Sequence, residues 1–294
     1  SRWDESMKLW CLKDFFFSFR KQKKIYYIDD YSEKNSVIER LSSQKILSVD
    51  TEFVWRNTYY PNLSLIQIAS KKEIFLIDFM KFNKLNFFQS IFKNVDLLVF
   101  HALRGDLMVL SSALGLKLNK VYDTQIAEKI ISGGENQSYL SLVEKYFPVN
   151  LKKTETNSNW LKRPLSKKQI KYAAEDVDYL IDIYTKQKKI LDLKNEYGKA
   201  LSQSYAEAQL GNQEFYVSRL AKLNSSTELE KKIFMWREKL AMKKNIPSSY
   251  IFKDKFLKKI YFSFIQGDKN SNLRKVLKNQ ELVDSLEEYI QKWY

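Results

Sequence analysis

The chain has one cysteine, Cys11, one histidine, His101, and only seven glycines in 294 residues. A single thiol excludes a disulfide framework, and together with a single imidazole it excludes Cys₄ and Cys₂His₂ zinc sites and every site that needs two histidines. The glycines form neither G-x-x-x-x-G-K-[ST] nor G-x-G-x-x-G, which argues against a nucleotide-driven motor and a dinucleotide enzyme. No apolar run is long enough to cross a bilayer; the nearest, Leu9 to Phe19, is short and interrupted by Lys13 and Asp14, so a soluble protein is expected.

What is present is charge and core. Fifty Lys and Arg against 35 Asp and Glu give a formal charge of +15, and 44% hydrophobic with 15% aromatic residues is ample for a packed interior. The length suits one large domain or two unequal ones. Of the basic residues 41 are Lys, a skew that AT-rich coding also produces, so charge alone does not separate composition drift from a polyanionic partner. Residues 1–24, Phe-rich and ending in Arg20 to Lys24 (RKQKK), read as an extension: an appended helix, a targeting remnant or a surface-binding segment.

From Ile25 the pattern alternates between strand and helix. Strand signals fall at Lys24 to Ile28, Lys45 to Phe53, Leu63 to Ser70, Glu73 to Asp78 and Asp96 to His101. Leu103, Leu107, Leu110 and Leu114 then keep a helical period, as do Ile170, Ala173, Val177, Leu180 and Tyr184 in one long helix starting near the cap candidate Ser166. Asn150 to Pro164 is a polar loop holding Trp160. Beyond about residue 195 the strand signals vanish: Leu229, Ile233, Trp236 and Leu240 share one helical stripe ended by Pro247, a polar turn spans Gly267 to Asn272, and Leu273 to Tyr294 read as helix. An α/β domain over 25–205 followed by a small all-α domain over 215–294 is the expected architecture.

Three motifs carry chemistry. In ILSVDTEF, Asp50 and Glu52 leave the same face of a strand, and two carboxylates held together repel unless a cation sits between them; hard oxygens of this kind suit Mg²⁺ or Mn²⁺. About four acid-x-acid pairs arise by chance in such a composition, so this pair alone is weak. In LLVFHALRGD, His101 ends a strand and Asp106 opens a helix, where an acid also suits the helix dipole. Tyr172 and Asp176 stand at i and i+4 on one helix, beside small Ala173 and Ala174.

Taken in order, D-x-E, H-x₄-D and Y-x₃-D resemble the three exonuclease motifs of the DEDD superfamily, tyrosine subclass. The strings VDTEFVWRNTYYPNLSLIQIA, VFHALRGDLMVL, YDTQIAEKI and NWLKRPLSKKQIKYAAEDVDYL look very like the bacterial ribonuclease D family over about residues 25 to 195. ELEKKIFMWREKLAMKKNIPSSYIFKDKFLKKI, Glu228 to Ile260, looks like the HRDC module, of which larger ribonuclease D proteins can carry two.

The resemblance implies a ribonuclease H-like domain, a mixed central sheet flanked by helices, and a metal-dependent 3′–5′ exoribonuclease that trims tRNA precursors and other small structured RNAs. It implies that Asp50, Glu52, Asp106 and Asp176 hold two divalent cations, Mg²⁺ or Mn²⁺, with Tyr172 orienting the attacking water. It also implies a cytoplasmic, membrane-free protein, expected to be a monomer. Several residues keep two readings: His101 as substrate contact or structural hydrogen-bonder, Asp123 as helix cap or support for the site, and Phe53, Trp55 and Leu65 as core or as base-stacking groups. Trp160, near Lys162 and Arg163, either meets the nucleic acid or pins its loop. Between Lys231 and Lys259 ten basic residues face two acids, a net +8, making Lys243 and Lys244 candidate phosphate contacts or members of a solvated face. Two rival functions stay open: a DNA exonuclease, since the 2′-hydroxyl is read by contacts that motifs do not reveal, and a catalytically silent nucleic-acid-binding protein.

Overall fold

The computed structural model describes residues 21–292 except 153, 154, 156, 224, 225, 267 and 268, and the side chains of 269–272 are likewise outside the description. Most of the extension at 1–24 therefore lies outside the described residues. Of its basic run, Lys23 is buried and pairs with Asp178, its Nζ donating to the Asp178 carbonyl at 2.5 Å. The chain forms two compact units: residues 21–54 with 62–212, and Trp55–Pro61 with residues 213–292.

The first unit is built on a six-stranded mixed sheet: β1 Lys24–Ile28, β2 Ile46–Val54, β3 Asn62–Ala69, β4 Glu73–Asp78, β5 Leu97–Phe100 and β6 Val121–Asp123, in the order β1-β4-β3-β2-β5-β6. The β2–β3–β4 meander is antiparallel, and β1, β5 and β6 add in parallel. β6, absent from the strand signals read above, is three residues long; it becomes a strand by pairing with β5, which no local pattern reveals.

Alternation along the strands divides the apolar residues into two cores. Leu47, Val49, Phe75 and Ile77 face one side, covered by α1 Lys34–Ser42, α2 Leu85–Phe92 and α3 Arg104–Leu114; Leu65, Leu76, Val99 and Tyr122 face the other. That second side is covered by α4 Thr124–Ser132, α5 Tyr139–Tyr146, α6 Lys167–Asp178 and α7 Leu180–Leu193. The single long helix expected after Ser166 is two: the run breaks at Tyr179, whose N–H donates to the Tyr139 hydroxyl at 3.2 Å. A tertiary partner for one amide thus overrides an uninterrupted helical period. α8 Tyr197–Gly211 closes the unit against α3 and β6.

Among the described residues of the second unit the regular elements are helices: α9 Phe215–Ala221, α10 Glu228–Lys244, α11 Leu257–Ile265, α12 Lys269–Leu277 and α13 Gln280–Gln291; Trp55–Pro61 joins them as a loop. The expected stripe on α10 is real, with Ile233 and Trp236 buried, and a Thr227–Glu230 capping box begins it. α12 begins inside the expected polar turn, and Lys278, at φ 58°, separates it from α13. Tyr59 enters this unit's core and donates to buried Glu238 at 2.9 Å, while Asn245 Oδ1 accepts from the Tyr59 and Tyr60 amides.

Candidate active site

On β2 the two-residue period puts Ser48, Asp50 and Glu52 on the face that meets α6. The start of α6 is fixed by a reciprocal cap, in which Ser166 Oγ accepts from the Gln169 amide and Gln169 Oε1 accepts from that of Ser166. Its end is tied to the strand by Ser48 Oγ, which donates to the Val177 carbonyl at 3.0 Å. Ala173 and Ala174, both buried, let the helix approach closely. Carboxylate oxygens of Asp50, Glu52 and Asp176 consequently lie within 4.8 Å of one another.

Asp106 arrives from the opposite side of the sheet, in the first turn of α3, whose Leu107 and Leu110 fill the first core. Thr51, pointing to that side, donates from Oγ1 to Asp106 Oδ1 at 2.6 Å. Asp106 also comes within hydrogen-bonding reach of Asp50; its charge acts on Glu52, and the Asp50 charge acts on it.

Burial pushes the Asp50 carboxyl up to about 7, against the pull of the Thr51 amide. Burial and then the charges of Asp50, Asp176 and Asp106 push Glu52 up to about 10. Burial and then the Asp50 charge hold Asp106 well above the ordinary carboxylate range, opposed by the Thr51 hydroxyl. Acids placed in this way do not all ionise at neutral pH unless a cation supplies the missing charge. The donors are all hard oxygens, with no thiol or imidazole among the three, so the set fits Mg²⁺ or Mn²⁺.

Asp50 and Asp176 open into a cleft of about 340 Å³ shared with Tyr172, His101, Gln125, Tyr139 and Lys152. Tyr172 stands one helical turn before Asp176 and is backed by the Trp160 ring, with centroids 6.1 Å apart. His101 Nδ1 lies 2.9 Å from Thr124 Oγ1, which spends its own proton on the Phe100 carbonyl at 3.1 Å. With that proton spent, the hydroxyl accepts from the Nδ1–H of His101.

The structure thus brings Asp50, Asp176, Tyr172 and His101 to one cleft, with Glu52 in the acid group. Of the two readings of Trp160, contact with nucleic acid is corrected and pinning of the loop agrees with the structure: the residue is 2% exposed in the second core, and its carbonyl accepts from Ser64 and from Arg163, the latter at 2.7 Å. Arg163 is committed elsewhere too, its Nε donating to Asp78 at 2.6 Å. Phe53 is partly buried against the first core and does not line the cleft; Leu65 is fully enclosed, and Trp55 belongs to the second unit. Asp123 caps α4, accepting from the Gln125 and Ile126 amides.

In the second unit, Lys243 and Lys244 are exposed in the last turn of α10, where a cation also suits the helix dipole. Arg237, counted among the basic run, is 1% exposed and paired with Glu238 and Asp254, so it presents no charge to solvent. Sequence reasoning passed over Thr51, Ser48, Gln125, Tyr139 and Lys152. Hydroxyls on either side of Asp50 were a local signal for the first two; Lys152 sits in a polar loop and had none.

The 3′–5′ exonuclease family matches residues 25–192. The chain is 30% identical to Ribonuclease D of Desulfotalea psychrophila over 256 residues, which is 82% of this chain and 67% of that one. It is 33% identical to Ribonuclease D of Bartonella henselae over 227 residues, 74% of this chain and 56% of the other, so it spans between about half and two thirds of the length of these relatives. The crystal structure of Escherichia coli RNase D, described as an exoribonuclease involved in structured RNA processing, superposes with a TM-score of 0.77 at 24% identity, over 90% of this chain and 75% of that one. Sequence, fold and the placing of the acids agree: the chain belongs to the 3′–5′ exonuclease family, in its ribonuclease D group.

Proposed function

We propose that this chain is a metal-dependent 3′–5′ exoribonuclease that removes nucleotides one at a time from RNA, with tRNA precursors and other small structured RNAs as substrates. The observation that carries the reading is the gathering of Asp50, Glu52 and Asp176 within 4.8 Å, beside Asp106 and one turn from Tyr172. Divalent cations, when bound there, would supply Lewis-acid chemistry that lowers the pKa of water and offsets charge on a departing 3′-oxygen. Asp50, Glu52, Asp106 and Asp176 are the residues to hold them.

The rest falls to the chain's own groups. Tyr172 faces the cleft and orients the attacking water through its phenol oxygen, and His101 and Gln125 line the wall that receives the terminal nucleotide. His101, tied to Thr124, keeps a fixed ring orientation for this role. The second unit is an HRDC module acting in cis, and its exposed lysines, Lys239, Lys243, Lys244, Lys253, Lys255, Lys258 and Lys259, hold the RNA body through phosphate contacts. A monomer carries all of these parts.

A time course on 5′-labelled and 3′-labelled RNA and DNA of equal sequence, with and without EDTA, tests the reading. A ladder shortened one nucleotide at a time from the 3′ end of RNA, silent in EDTA and weaker on DNA, is the expected result. Internal cuts, or equal rates on DNA, would overturn the exoribonuclease assignment.

A further inference from the structure

We infer that Asp123 is a positioning residue for the hydrolytic site: one carboxylate that both caps α4 and clamps the turn from which Asp106 and His101 are presented. This rests on the proposed exonuclease reading, in which those two residues serve the reaction.

The turn between β5 and α3 needs a clamp. Ala102 adopts φ 57°, a left-handed conformation that side chains other than glycine resist. α3 begins at Arg104 with no side-chain cap of its own, since Leu103 at its N-cap has no hydrogen-bonding side chain. Asp123 supplies what is missing from outside: Oδ1 accepts from the Ala102 amide at 3.0 Å and Oδ2 from the Leu103 amide at 2.9 Å. The same Oδ1 accepts from Gln125 at 2.8 Å and Ile126 at 3.4 Å, capping α4.

The carboxylate is itself held. Asp123 is 2% exposed, and its amide donates to Ser204 Oγ of α8 at 2.9 Å. Thr124, the next residue, grips the preceding part of the same turn through Phe100 and His101. The segment Phe100 to Leu103 is thus fixed by two consecutive residues of the β6–α4 junction. Asp106, three residues beyond Leu103 and bonded to Thr51, inherits its position from that grip. Gln125 inherits its place in the cleft from the cap.

Asp123→Asn separates the clamp from the cap. Asparagine caps helices well, and with its amide oxygen in the place of Oδ1 it keeps Ala102, Gln125 and Ile126; its amide nitrogen then opposes the Leu103 N–H, donor against donor. Tyr146→Phe, which removes a hydroxyl bonded to Glu128 away from the cleft, serves as a control for lost stability alone. Ala102→Gly, at home at positive φ, is the rescue.

The expected result at a temperature where all variants are folded is a kcat for 3′-nucleotide release lowered about 10- to 100-fold by D123N with KM within about threefold of wild type. Mn²⁺ affinity measured by calorimetry falls about tenfold, amide exchange at Leu103 quickens, Y146F does neither, and A102G recovers part of the loss in the D123N background. Wild-type kcat and Mn²⁺ affinity in folded D123N, or equal losses in Y146F, would overturn the inference while leaving the exonuclease reading intact. A wild-type protein without 3′–5′ activity would instead overturn that reading, and Leu103 exchange with Mn²⁺ affinity would still decide whether the clamp exists.

Discussion

Arg163 is the residue whose loss the structure prices most directly. It donates twice to Asp78, at 2.6 and 3.0 Å, to the Trp160 carbonyl at 2.7 Å, to that of Lys162 at 3.1 Å, and to the carbonyl and hydroxyl of Ser64 at 3.0 and 3.1 Å. Arg163→Met keeps much of the packing and removes all of these. It leaves Asp78, with its side chain 3% exposed, to the Tyr27 hydroxyl and the Met80 amide alone. Stranding one partner of a buried pair costs about 3–5 kcal/mol; because the Arg163 side chain keeps 21% exposure, about 2–4 kcal/mol is expected here. Urea-dependent amide exchange at β3 and β4 reads the first unit alone. The sign with pH is fixed by Asp78: although burial raises its carboxyl, the bonds from Arg163 and Tyr27 outweigh it and hold the group below its ordinary value. The folded state therefore binds fewer protons, so the contribution is fully present above about pH 4 and is lost as pH falls through the folded pKa. The gap between wild type and R163M should narrow from pH 5 toward pH 2, and in a cycle with D78N the pair should couple by about 1–3 kcal/mol. A cost below about 0.5 kcal/mol, or a gap that ignores pH, refutes the role given to this pair.

Other outcomes follow from the same geometry. With Asp50 raised to about 7, the folded state binds more protons than the unfolded one between about pH 4 and 7, so this group makes the metal-free protein less stable as pH rises through that window. Asp50→Asn should stabilise the EDTA-treated protein by about 1–2 kcal/mol at pH 8, should do less at pH 5.5, and should abolish hydrolysis; a thermal melt that shows destabilisation at pH 8 contradicts it. A Cβ on Gly211 would stand 2.9 Å from both the Arg104 carbonyl oxygen and Leu107 Cβ, so Gly211→Ala should cost about 1–3 kcal/mol and disturb the first turn of α3; an unchanged melting temperature argues against that close approach. Reversing Lys243 and Lys244 to Glu should flatten the dependence of log affinity for RNA on log salt by about 1–2 units, and an unchanged slope would assign them to the solvated face.

Much of the site was legible because its parts are local. Asp50 and Glu52 share a strand face and Tyr172 and Asp176 stand one helical turn apart, pairs weak alone and readable in their order along the chain, while Ser166 and Asp123 stand where caps belong. What escaped notice depends on partners distant in sequence. Trp160 in its polar loop leaves two readings open, and only Ser64 and Arg163, bonded to its carbonyl, favour the pinning one. Arg237 reads as one more surface cation until Glu238, Asp254 and the Phe252 carbonyl enclose it. The break at Tyr179 and the inclusion of Trp55–Pro61 in the second unit have the same origin: Tyr139 and Asn245 offer hydrogen bonds that no nearby pattern encodes. Asp106 shows both sides of this, since its place at a strand-to-helix junction was readable but its tether to Thr51 was not.

In the proposed reading the half-buried acids Asp50, Glu52 and Asp176, with buried Asp106, form one metal-dependent hydrolytic centre. Its most direct test is the rate of 3′-nucleotide release from RNA as a function of Mg²⁺ or Mn²⁺ for wild type and Asp176→Asn. The account predicts a D176N rate at saturating metal at least about 10³-fold below wild type, with the variant folded and the wild type silent in EDTA. Wild-type turnover by D176N at saturating metal, or full activity of the wild type in EDTA, would contradict it.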